Sequence, residues 1–441
     1  MANPDDTTIL GEDFIDTLVP ARPTAPPVEA RLPTDAPDRL VFFFSGFDPK
    51  SATFYHRLFR SGIAQRNAAH DETLALGKRH RIGRWASVWT TLWRGASSAL
   101  GGRPVSMRTR VHFMRWDDIV RRHWRRAPLT LLRDYWNIYA RGVASGVLQR
   151  IWRSAPSAFW LAMFPLVVCI LSLTLGLVVA AGLMLTTGLL SSLSAPALGL
   201  GLGALAWRVA ARRLDAEWLL RLYAFMRQQA LGEVPALDAR LDEMAARLTE
   251  AVEARMQHPG AAPLKEVLVV GYSSGTIMAA SVLARALPRL SEVVGGRRAN
   301  KSTTLSMVTL GQCLPIAAEW PGASRIRGDL DLLAESPLLT WHDYSSRSDS
   351  AAFSKAPPWP EPALLKGRQE SPAFRALSGA KQFATMRRDR RELHLQYLRA
   401  PRSRDDADGY DFFKLACGPQ TLAERHAQDK SMTESHPVIS N

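Results

Sequence analysis

The stretch that decides the fold of this 441-residue chain is Val267-Leu-Val-Val-Gly-Tyr-Ser-Ser-Gly-Thr-Ile277. An apolar run typical of a buried strand is broken there by the pattern Gly271-x-Ser273-x-Gly275. A sharp turn from a strand into a helix needs small residues around the serine, which stands exposed at the apex. Small and apolar residues continue the pattern as a helix, which Pro288 is expected to end. The stretch therefore predicts a nucleophile elbow with Ser273 at its apex.

A long apolar segment is the second decisive feature, because no charged residue occurs within 154–207. A membrane-spanning helix needs about 20 apolar residues, so the segment is long enough for two. We predict a transmembrane hairpin, with spans at about 159–181 and 185–207 and a turn near Gly182. A buried soluble hairpin is the less favoured interpretation, because soluble helices of this length show a polar face.

The chain is strongly basic, with a formal net charge of +15. Arginines flank the apolar segment on both sides: Arg121, Arg122, Arg125, Arg126, Arg133, Arg141, Arg150 and Arg153 before it, and Arg208, Arg212, Arg213 and Arg221 after it. The positive-inside rule then predicts a two-pass protein of the inner (cytoplasmic) membrane or its equivalent, with the rest of the chain and both termini in the cytoplasm. Such flanks favour a bilayer with anionic headgroups as partner, and no recognisable motif points to nucleic acid.

The N-terminus and the cysteines add to the expected compartment and chemistry. The first residues lack the basic and apolar regions of a signal peptide. The three cysteines, Cys169, Cys313 and Cys417, are widely spaced, and Cys169 lies within the first predicted span. Neither a disulfide framework nor a metal site can be built from that pattern. We therefore expect no metal and no cofactor.

Composition divides the chain into five segments. Residues 1–38, rich in proline and acidic residues, are expected to form a disordered leader, and the polar residues 428–441 a loose tail. Residues 39–153, with basic and aromatic juxtamembrane helices, and residues 208–427 form one folded domain around the hairpin at 154–207. Strand patterns alternate with helical patterns there, which predicts an α/β fold with a mostly parallel sheet covered by helices on both faces. The predicted strands are 39–45, 110–116, 265–271, 303–310 and 338–344.

Three tryptophans, Trp85, Trp89 and Trp93, recur at four-residue spacing between arginines. On a helix, this spacing places the three indoles on one face. Two interpretations stay open for such a helix. It lies on the bilayer surface, or its aromatic face packs in the protein core.

The acid of a catalytic triad is sought after the serine, in the order serine, acid, histidine that an elbow of this kind has. A serine hydroxyl needs an imidazole to remove its proton, and the imidazole needs a carboxylate to hold its tautomer. Asp349 follows the predicted strand 338–344 and is the favoured acid. Asp343, within that strand, is the alternative.

Three histidines follow Asp349 and compete for the role of general base. His394 lies between apolar residues and is the favoured base. His426 lies in a pattern that looks like an exposed helix and is the alternative, whereas His436 falls in the predicted tail. The residues before His394 form a poor strand pattern.

The oxyanion of an acyl-transfer reaction needs two backbone N–H groups directed at the developing charge. Ser274, directly after the serine, supplies one of them. Phe47, in the loop after the first predicted strand, is expected to supply the other, and Gly46 before it lets the backbone approach closely.

Gly271-Tyr-Ser273-Ser-Gly275 after an apolar strand, Gly46-Phe47 after the first strand, and Asp349 and His394 in that order resemble the α/β-hydrolase superfamily. The resemblance covers about residues 39–425 and is interrupted by the hairpin. It implies a Ser-His-Asp hydrolase that forms a covalent acyl-enzyme. The chain departs from the family pattern because its early loop lacks a His-Gly-Gly run, the strand before the histidine is weak, and a hairpin is inserted.

The favoured hypothesis is a membrane-anchored cytoplasmic serine hydrolase of the esterase, lipase or thioesterase type. Its substrate would be a small acyl ester or a lipid-derived ester, and its oligomeric state is left open. The alternative is a non-catalytic scaffold or ligand-binding protein of the same fold, since superfamily membership alone does not establish chemistry. A transport component is poorly supported, because the predicted spans contain no ionisable acidic, basic or histidine residue.

Overall fold

The structure, a computed structural model, describes residues 36–97, 103–124, 127–187, 194–258, 260, 262–295, 303–354, 356–402 and 410–435. Its strands are β1 (Asp38–Phe44), β2 (Thr73–Leu76), β3 (His80–Ile82), β4 (Ala86–Ser97), β5 (Arg103–Met114), β6 (Leu264–Tyr272), β7 (Thr304–Leu310), β8 (Leu339–Tyr344) and β9 (Lys366–Glu370). Before β6, the helices are α1 (Ala52–Ala69), α2 (Asp117–Trp124), α3 (Pro128–Tyr135), a π-helical turn (Trp136–Ala140), α4 (Arg141–Ala144), α5 (Val147–Ser154), α6 (Pro156–Thr187), α7 (Ser194–Arg213), α8 (Ala216–Ala230) and α9 (Pro235–Gln257). After β6 come α10 (Gly275–Gly295), α11 (Leu314–Ala318), α12 (Ser324–Ala334), α13 (Phe374–Ser378), α14 (Ala380–Met386), α15 (Arg390–His394), a 3₁₀ turn (Leu395–Leu398), α16 (Phe412–Cys417) and α17 (Leu422–Ser435).

The strands form one sheet in the order β2-β4-β5-β1-β6-β7-β8-β9, with β3 paired to β4. Pairing is parallel from β5 to β9 and antiparallel among β2, β3, β4 and β5. The expectation of a mostly parallel sheet is therefore wrong, and the fold is α/β with a mixed sheet. Five residues separate β4 from β5, whereas a parallel crossover needs about a dozen or more. The two strands consequently pair antiparallel.

The central strands are buried on both faces because their side chains alternate between two cores. Phe42 and Phe44 of β1 pack in a core with residues of α8, α9 and α10. Val41 and Phe43 point to the opposite core, which contains residues of α1 and α16. Helices thus cover both faces of the parallel half, and the ends of β1, β6, β7 and β8 converge at one edge of the sheet.

The tryptophan pattern at 85–93 belongs to a strand, so the expected helix is wrong, whereas the alternative of packing in the protein core is confirmed for Trp89 and Trp93. Trp89 and Trp93 lie in β4, where they are buried in the core, and Trp85 precedes the strand. Residues four apart share a face in a strand as well as in a helix, because the strand period is two. The spacing alone therefore could not distinguish the two structures.

The apolar segment forms two helices, α6 and α7. Among the described residues, α6 over Pro156–Leu185 is the one helix long and apolar enough to cross a membrane by length and composition. The second predicted span, 185–207, is not established as a membrane helix, and residues 188–193 within it lie outside the described residues. The predicted turn near Gly182 is wrong because α6 continues through it. A glycine inside a helix costs only about 1 kcal/mol, which flanking helix formers offset.

Small residues bring α6 and α7 into close antiparallel contact. A Cβ added at Gly176 would lie 2.3 Å from Gly199 O, and one added at Gly199 would lie 2.6 Å from Ala180 Cβ. The base of α6 is buried in the main core through Ala158, Leu161 and Ala162. Farther out, the side chains that face away from this contact are apolar and exposed. Exposed members of α6 and α7 include Ile170, Leu171, Leu175, Leu177, Val178, Leu198, Leu200 and Leu205.

Three boundaries differ from the sequence-based expectation. Pro288 lies inside α10, which runs on to Gly295. Asp38 is already part of β1, so the leader ends earlier than expected, and residues 1–35 lie outside the described residues. The tail predicted from 428 is helical to Ser435 as part of α17.

Candidate active site

Ser273 stands at the turn between β6 and α10 with a backbone φ of 58°. Among the described non-glycine residues, Asp215 shares a positive φ with it. Residues with a Cβ rarely adopt this left-handed region, because the Cβ approaches the following carbonyl. The N–H of Ser273 donates to Leu310 O at 2.9 Å, and the hydroxyl of Thr276 donates to Ser273 O at 2.7 Å. Hydrogen bonds from both sides therefore hold the serine in this conformation.

Three glycines make the turn possible, because the backbone passes too close for a side chain. A Cβ at Gly271 would lie 2.7 Å from Thr276 Cα, and one at Gly275 would lie 2.3 Å from Ser45 O. A Cβ at Gly46 would lie 2.9 Å from Ser273 Cβ and 3.2 Å from its Oγ. The loop after β1 therefore passes directly beside the serine hydroxyl, as expected for a segment that completes a site around it.

The structure brings His394 and Asp349 together. Nδ1 of His394 lies 2.6 Å from Oδ2 of Asp349. Asp349 is buried in the turn after β8, where its other oxygen accepts the N–H of Ala351 at 2.9 Å. The carboxylate is thus fixed by its own loop before it meets the imidazole. This geometry holds the Nδ1 hydrogen towards Asp349 and leaves Nε2 as the basic atom.

His394 is the last residue of α15, and α15 follows α14, so helices rather than a strand lead into this histidine. The strand between Asp349 and His394 is β9, which pairs parallel with β8. Sequence reasoning missed it, because Lys-Gly-Arg-Gln-Glu has no apolar run and only one neighbouring strand to pair with. The signal available in the sequence was its place in the chain shortly after β8, since consecutive strands are usually neighbours in the sheet.

The alternative acid and bases have other surroundings. Asp343 is buried within β8, where Thr309, Ser345 and Gln369 donate to its oxygens. Burial raises the pKa of Asp343 to about 7, although those three hydrogen bonds oppose the rise. Nδ1 of His426 lies 3.2 Å from Nε2 of His342. His436 lies outside the described residues.

The His394–Asp349 pair lies over the ends of β6 and β7, next to the elbow. The imidazole centroid is 5.1 Å from the ring of Tyr272, which precedes Ser273. A Cβ at Gly311 would lie 3.0 Å from His394 Cε1, and Gly311 follows the carbonyl that accepts Ser273 N–H. Nε2 of His394 is buried and has no hydrogen-bond partner within the described parts of the chain, so Ser273 Oγ is not bonded to it in this conformation.

The loop that carries Phe47 is held against the elbow by a direct hydrogen bond. The N–H of Phe47 donates to Ser274 Oγ at 2.7 Å, and both residues are buried. The ring of Phe47 packs against Phe225 and Trp124, at centroid distances of 5.0 and 5.8 Å. The Phe47 amide therefore points at the elbow but is occupied by a hydroxyl in the resting structure. That Phe47 and Ser274 bind an oxyanion stays a prediction.

Other groups near the elbow are less suited to act as a nucleophile or to bind a metal. Cys313 follows the end of β7, but burial raises the pKa of its thiol to about 12, which leaves it protonated and a poor nucleophile at neutral pH. No three histidine, cysteine, aspartate or glutamate side chains gather as metal ligands within the portion of the chain that the structure describes. That Ser273, His394 and Asp349 act together in nucleophilic acyl transfer stays a prediction.

Comparison of the chain with protein-family models, with curated proteins and with solved structures found no match in any of the three.

Proposed function

We propose that this chain is a membrane-anchored serine hydrolase that cleaves an ester or thioester through an acyl-enzyme. One observation supports this most. A serine in a left-handed conformation at a strand-to-helix turn lies at the same sheet edge as a histidine hydrogen-bonded to a buried aspartate. A nucleophile, a base and an orienting acid are the three groups that acyl transfer needs.

In the proposed mechanism Ser273 Oγ attacks the substrate carbonyl carbon while Nε2 of His394 takes the hydroxyl proton. Asp349 stabilises the resulting imidazolium through Nδ1–H and stays ionised. Collapse of the tetrahedral intermediate breaks the bond to the leaving alkoxide or thiolate, which takes the proton from Nε2. Water then attacks the acyl-Ser273 ester with His394 again as base, and the carboxylic acid leaves with Ser273 regenerated.

The oxyanion would be bound by the N–H groups of Ser274 and Phe47. In the resting structure the Phe47 N–H already donates to Ser274 Oγ. The carbonyl oxygen of the substrate must therefore replace that hydroxyl as the acceptor of the Phe47 N–H. Such an exchange keeps the buried amide satisfied before and after binding, because an unpaired buried N–H would be costly.

A bilayer as the site of action is supported by the surface of the hairpin. On the outer part of α6, Ser172, Gly176 and Ala180 are buried against α7, and the other side chains there are mostly exposed and, apart from Thr174, apolar. Residues 170–185 span about 24 Å at about 1.5 Å per residue, close to the roughly 30 Å of hydrocarbon in a bilayer. Water does not favour so large an exposed apolar surface. A lipid-derived acyl ester is the substrate that such an anchor would bring to Ser273.

The test is covalent labelling of the full chain in vesicles with a fluorophosphonate, followed by identification of the labelled residue. We expect labelling of Ser273, and loss of both labelling and short-chain esterase activity in Ser273→Ala. Ser281→Ala is the matched control, because Ser281 lies on α10 and its hydroxyl donates to Asp329 at 2.6 Å. Unchanged activity in Ser273→Ala, or labelling of another residue, would show the mechanism to be wrong.

A second candidate, a non-catalytic scaffold of this fold, is favoured by the unpaired Nε2 of His394 and the occupied amide of Phe47. A scaffold would keep the partly buried His394–Asp349 pair for stability alone. It predicts a folded protein that reacts with no fluorophosphonate, whose Ser273→Ala and His394→Ala variants differ from the parent in stability and not in turnover.

A further inference from the structure

Helix α8 follows the hairpin after a single turn and contacts both segments that complete the candidate site. The ring centroid of Phe225 lies 5.0 Å from that of Phe47, in the loop beside the serine. Towards the start of α8, the ring of Trp218 lies 4.8 Å from the guanidinium carbon of Arg391 in α15. α8 therefore links the base of the hairpin to the loop after β1 and to the helix that ends in His394.

Arg391 joins α15 to the turn between α7 and α8. Its guanidinium nitrogen lies 2.6 Å from Oδ1 of Asp215, and Asp215 holds a φ of 57° in that turn. The neighbouring Arg390 joins the same helix to the hairpin itself, because its guanidinium carbon lies 4.6 Å from the ring centroid of Phe164 in α6. Arg390 thus holds α15 against α6, and Arg391 holds it against the turn that follows α7.

α15 depends on such contacts for its orientation because it has five residues, and a helix so short is not stable alone in water. Its first turn is capped by Asp389, whose carboxylate accepts the N–H groups of Arg391 and Glu392. An exposed ion pair contributes little alone. The planar guanidinium of Arg391 also lies over an aromatic ring, which adds a second, directional restraint. These restraints act three residues before His394.

We propose that Arg391 is a positioning residue that holds α15 to the base of the hairpin and so sets the position of the His394 imidazole relative to Ser273. The inference rests on the proposed function, because that function gives His394 its role. A bilayer that fixes the tilt of α6 and α7 also fixes Asp215 and Trp218. Insertion of the hairpin therefore controls the geometry of the site and couples hydrolysis to the membrane.

The experiment compares Arg391→Ala and Arg391→Lys with the full-length parent in vesicles of phosphatidylcholine and phosphatidylglycerol. We expect Arg391→Ala to lower kcat for a short acyl ester about tenfold at unchanged KM, because a displaced base slows proton transfer without changing binding. Arg391→Lys keeps a cation for Asp215 and should restore part of the loss. Arg388→Ala, which changes an exposed arginine just before α15, is the matched control and should behave as the parent.

Amide hydrogen exchange of residues 392–398 in the Ser273→Ala background gives a readout independent of activity. Arg391→Ala should speed this exchange, and transfer of the protein from detergent micelles into vesicles should slow it. If exchange changes as expected but no form of the protein reacts with fluorophosphonate, the proposed function fails and hydrolysis cannot be coupled to the membrane, although Arg391 still holds α15 to the base of the hairpin. If Ser273 reacts normally and Arg391→Ala alters neither kcat nor exchange relative to Arg388→Ala, the coupling is wrong.

Discussion

Ser273 holds a left-handed backbone conformation that costs a non-glycine residue about 1–3 kcal/mol. The cost is met by the surrounding packing, since Ser45 O and Phe44 O close on Gly275 from the neighbouring strand end. The benefit is positional. The hydroxyl stands beside the Gly46 loop, at the sheet edge that also carries the His394–Asp349 pair.

A methyl group at Gly275 should therefore strain the elbow. In Gly275→Ala the new Cβ would lie 2.3 Å from Ser45 O, so we expect the free energy of unfolding to fall by about 1–3 kcal/mol. Gly328→Ala is the matched control, because nothing lies within 4 Å of a Cβ there and the residue is in α12. That control should be stabilised by up to about 1 kcal/mol. Denaturant unfolding checks both, and equal effects would contradict the packing argument.

Substitution of the two candidate acids, Asp349 and Asp343, should have different effects on esterase activity. Asp349→Asn leaves the shape of the His394 contact intact but favours the wrong imidazole tautomer, and in a serine-protease triad that change lowers kcat about 10⁴-fold. Asp343→Asn alters a carboxyl bonded to Thr309, Ser345 and Gln369, and should leave esterase kcat within about threefold of the parent. Steady-state kinetics on a short acyl ester decides. Equal losses in both variants would show that the two carboxyls act together.

Asp343 should also make stability depend on pH. Burial raises the pKa of its carboxyl to about 7 in the folded chain, against a usual value of about 3.9 when unfolded. Between about pH 4 and 7 the unfolded state has released the proton and the folded state keeps it, so the free energy of unfolding falls as pH rises through that window. Asp343→Asn removes this dependence. Its melting temperature relative to the parent should therefore rise from pH 5 to pH 8, and a constant difference would contradict the shift.

At the scale of elements, sequence patterns predicted the core strands well and the sheet edges poorly. Strands β1 and β6 contain the apolar runs 40–44 and 267–270, each with a glycine within two residues of its end, so both strands could be predicted with ends within about one residue. The edge strand β9 is polar and was missed, and β4 was mistaken for a helix because four-residue spacing fits both periods. Because β4 was not recognised as a strand, its short connection to β5 could not be used to predict the antiparallel pairing that makes the sheet mixed.

The candidate site was predictable where it depends on local chain geometry and not where it depends on tertiary contacts. The elbow glycines and Ser273 follow from the requirements of one turn. The choice of His394 over His426 rested on the apolar residues around it, and the 2.6 Å contact with Asp349 comes from loops far apart in the chain. No sequence pattern predicted the hydrogen bond from the Phe47 N–H to Ser274 Oγ or the ion pair between Arg391 and Asp215.

The contact between α6 and α7 should depend on small residues on one face alone. In Gly199→Leu the side chain meets Ala180 Cβ and Gly176 O, both 2.6 Å from the new Cβ, so the helices must separate. Gly201→Leu adds the same side chain two residues later in α7, where nothing lies within 4 Å. We expect the first variant to lower the melting temperature in detergent micelles and the second to leave it unchanged. Equal melting temperatures would contradict this packing of the hairpin.

At the scale of the whole molecule, the arginines that flank the hairpin divide into two groups. Arg121, Arg150 and Arg221 form ion pairs with Asp117, Glu319 and Glu217, so their charges are balanced within the protein. Among the other flanking arginines that the structure describes, a second group is exposed and forms no ion pairs with described residues. This second group, beside the exposed Trp136, Trp152 and Trp160, contains Arg133, Arg141, Arg153, Arg208, Arg212 and Arg213. Its charge and aromatic content favour a position at the headgroups of anionic lipid.

That arrangement predicts the topology of the chain in a cell membrane. A single cysteine introduced within 188–193, between α6 and α7, should react with a membrane-impermeant maleimide added to intact cells. In a Thr385→Cys variant the exposed thiol should react only after permeabilisation, because the positive-inside rule predicts a cytoplasmic location for the basic body. The parent is the control for Cys313 and Cys417, which are buried, and for Cys169, which lies within α6. Labelling of the cysteine introduced at position 385 in intact cells, or release of the protein by alkaline carbonate, would contradict a spanning hairpin with a cytoplasmic site.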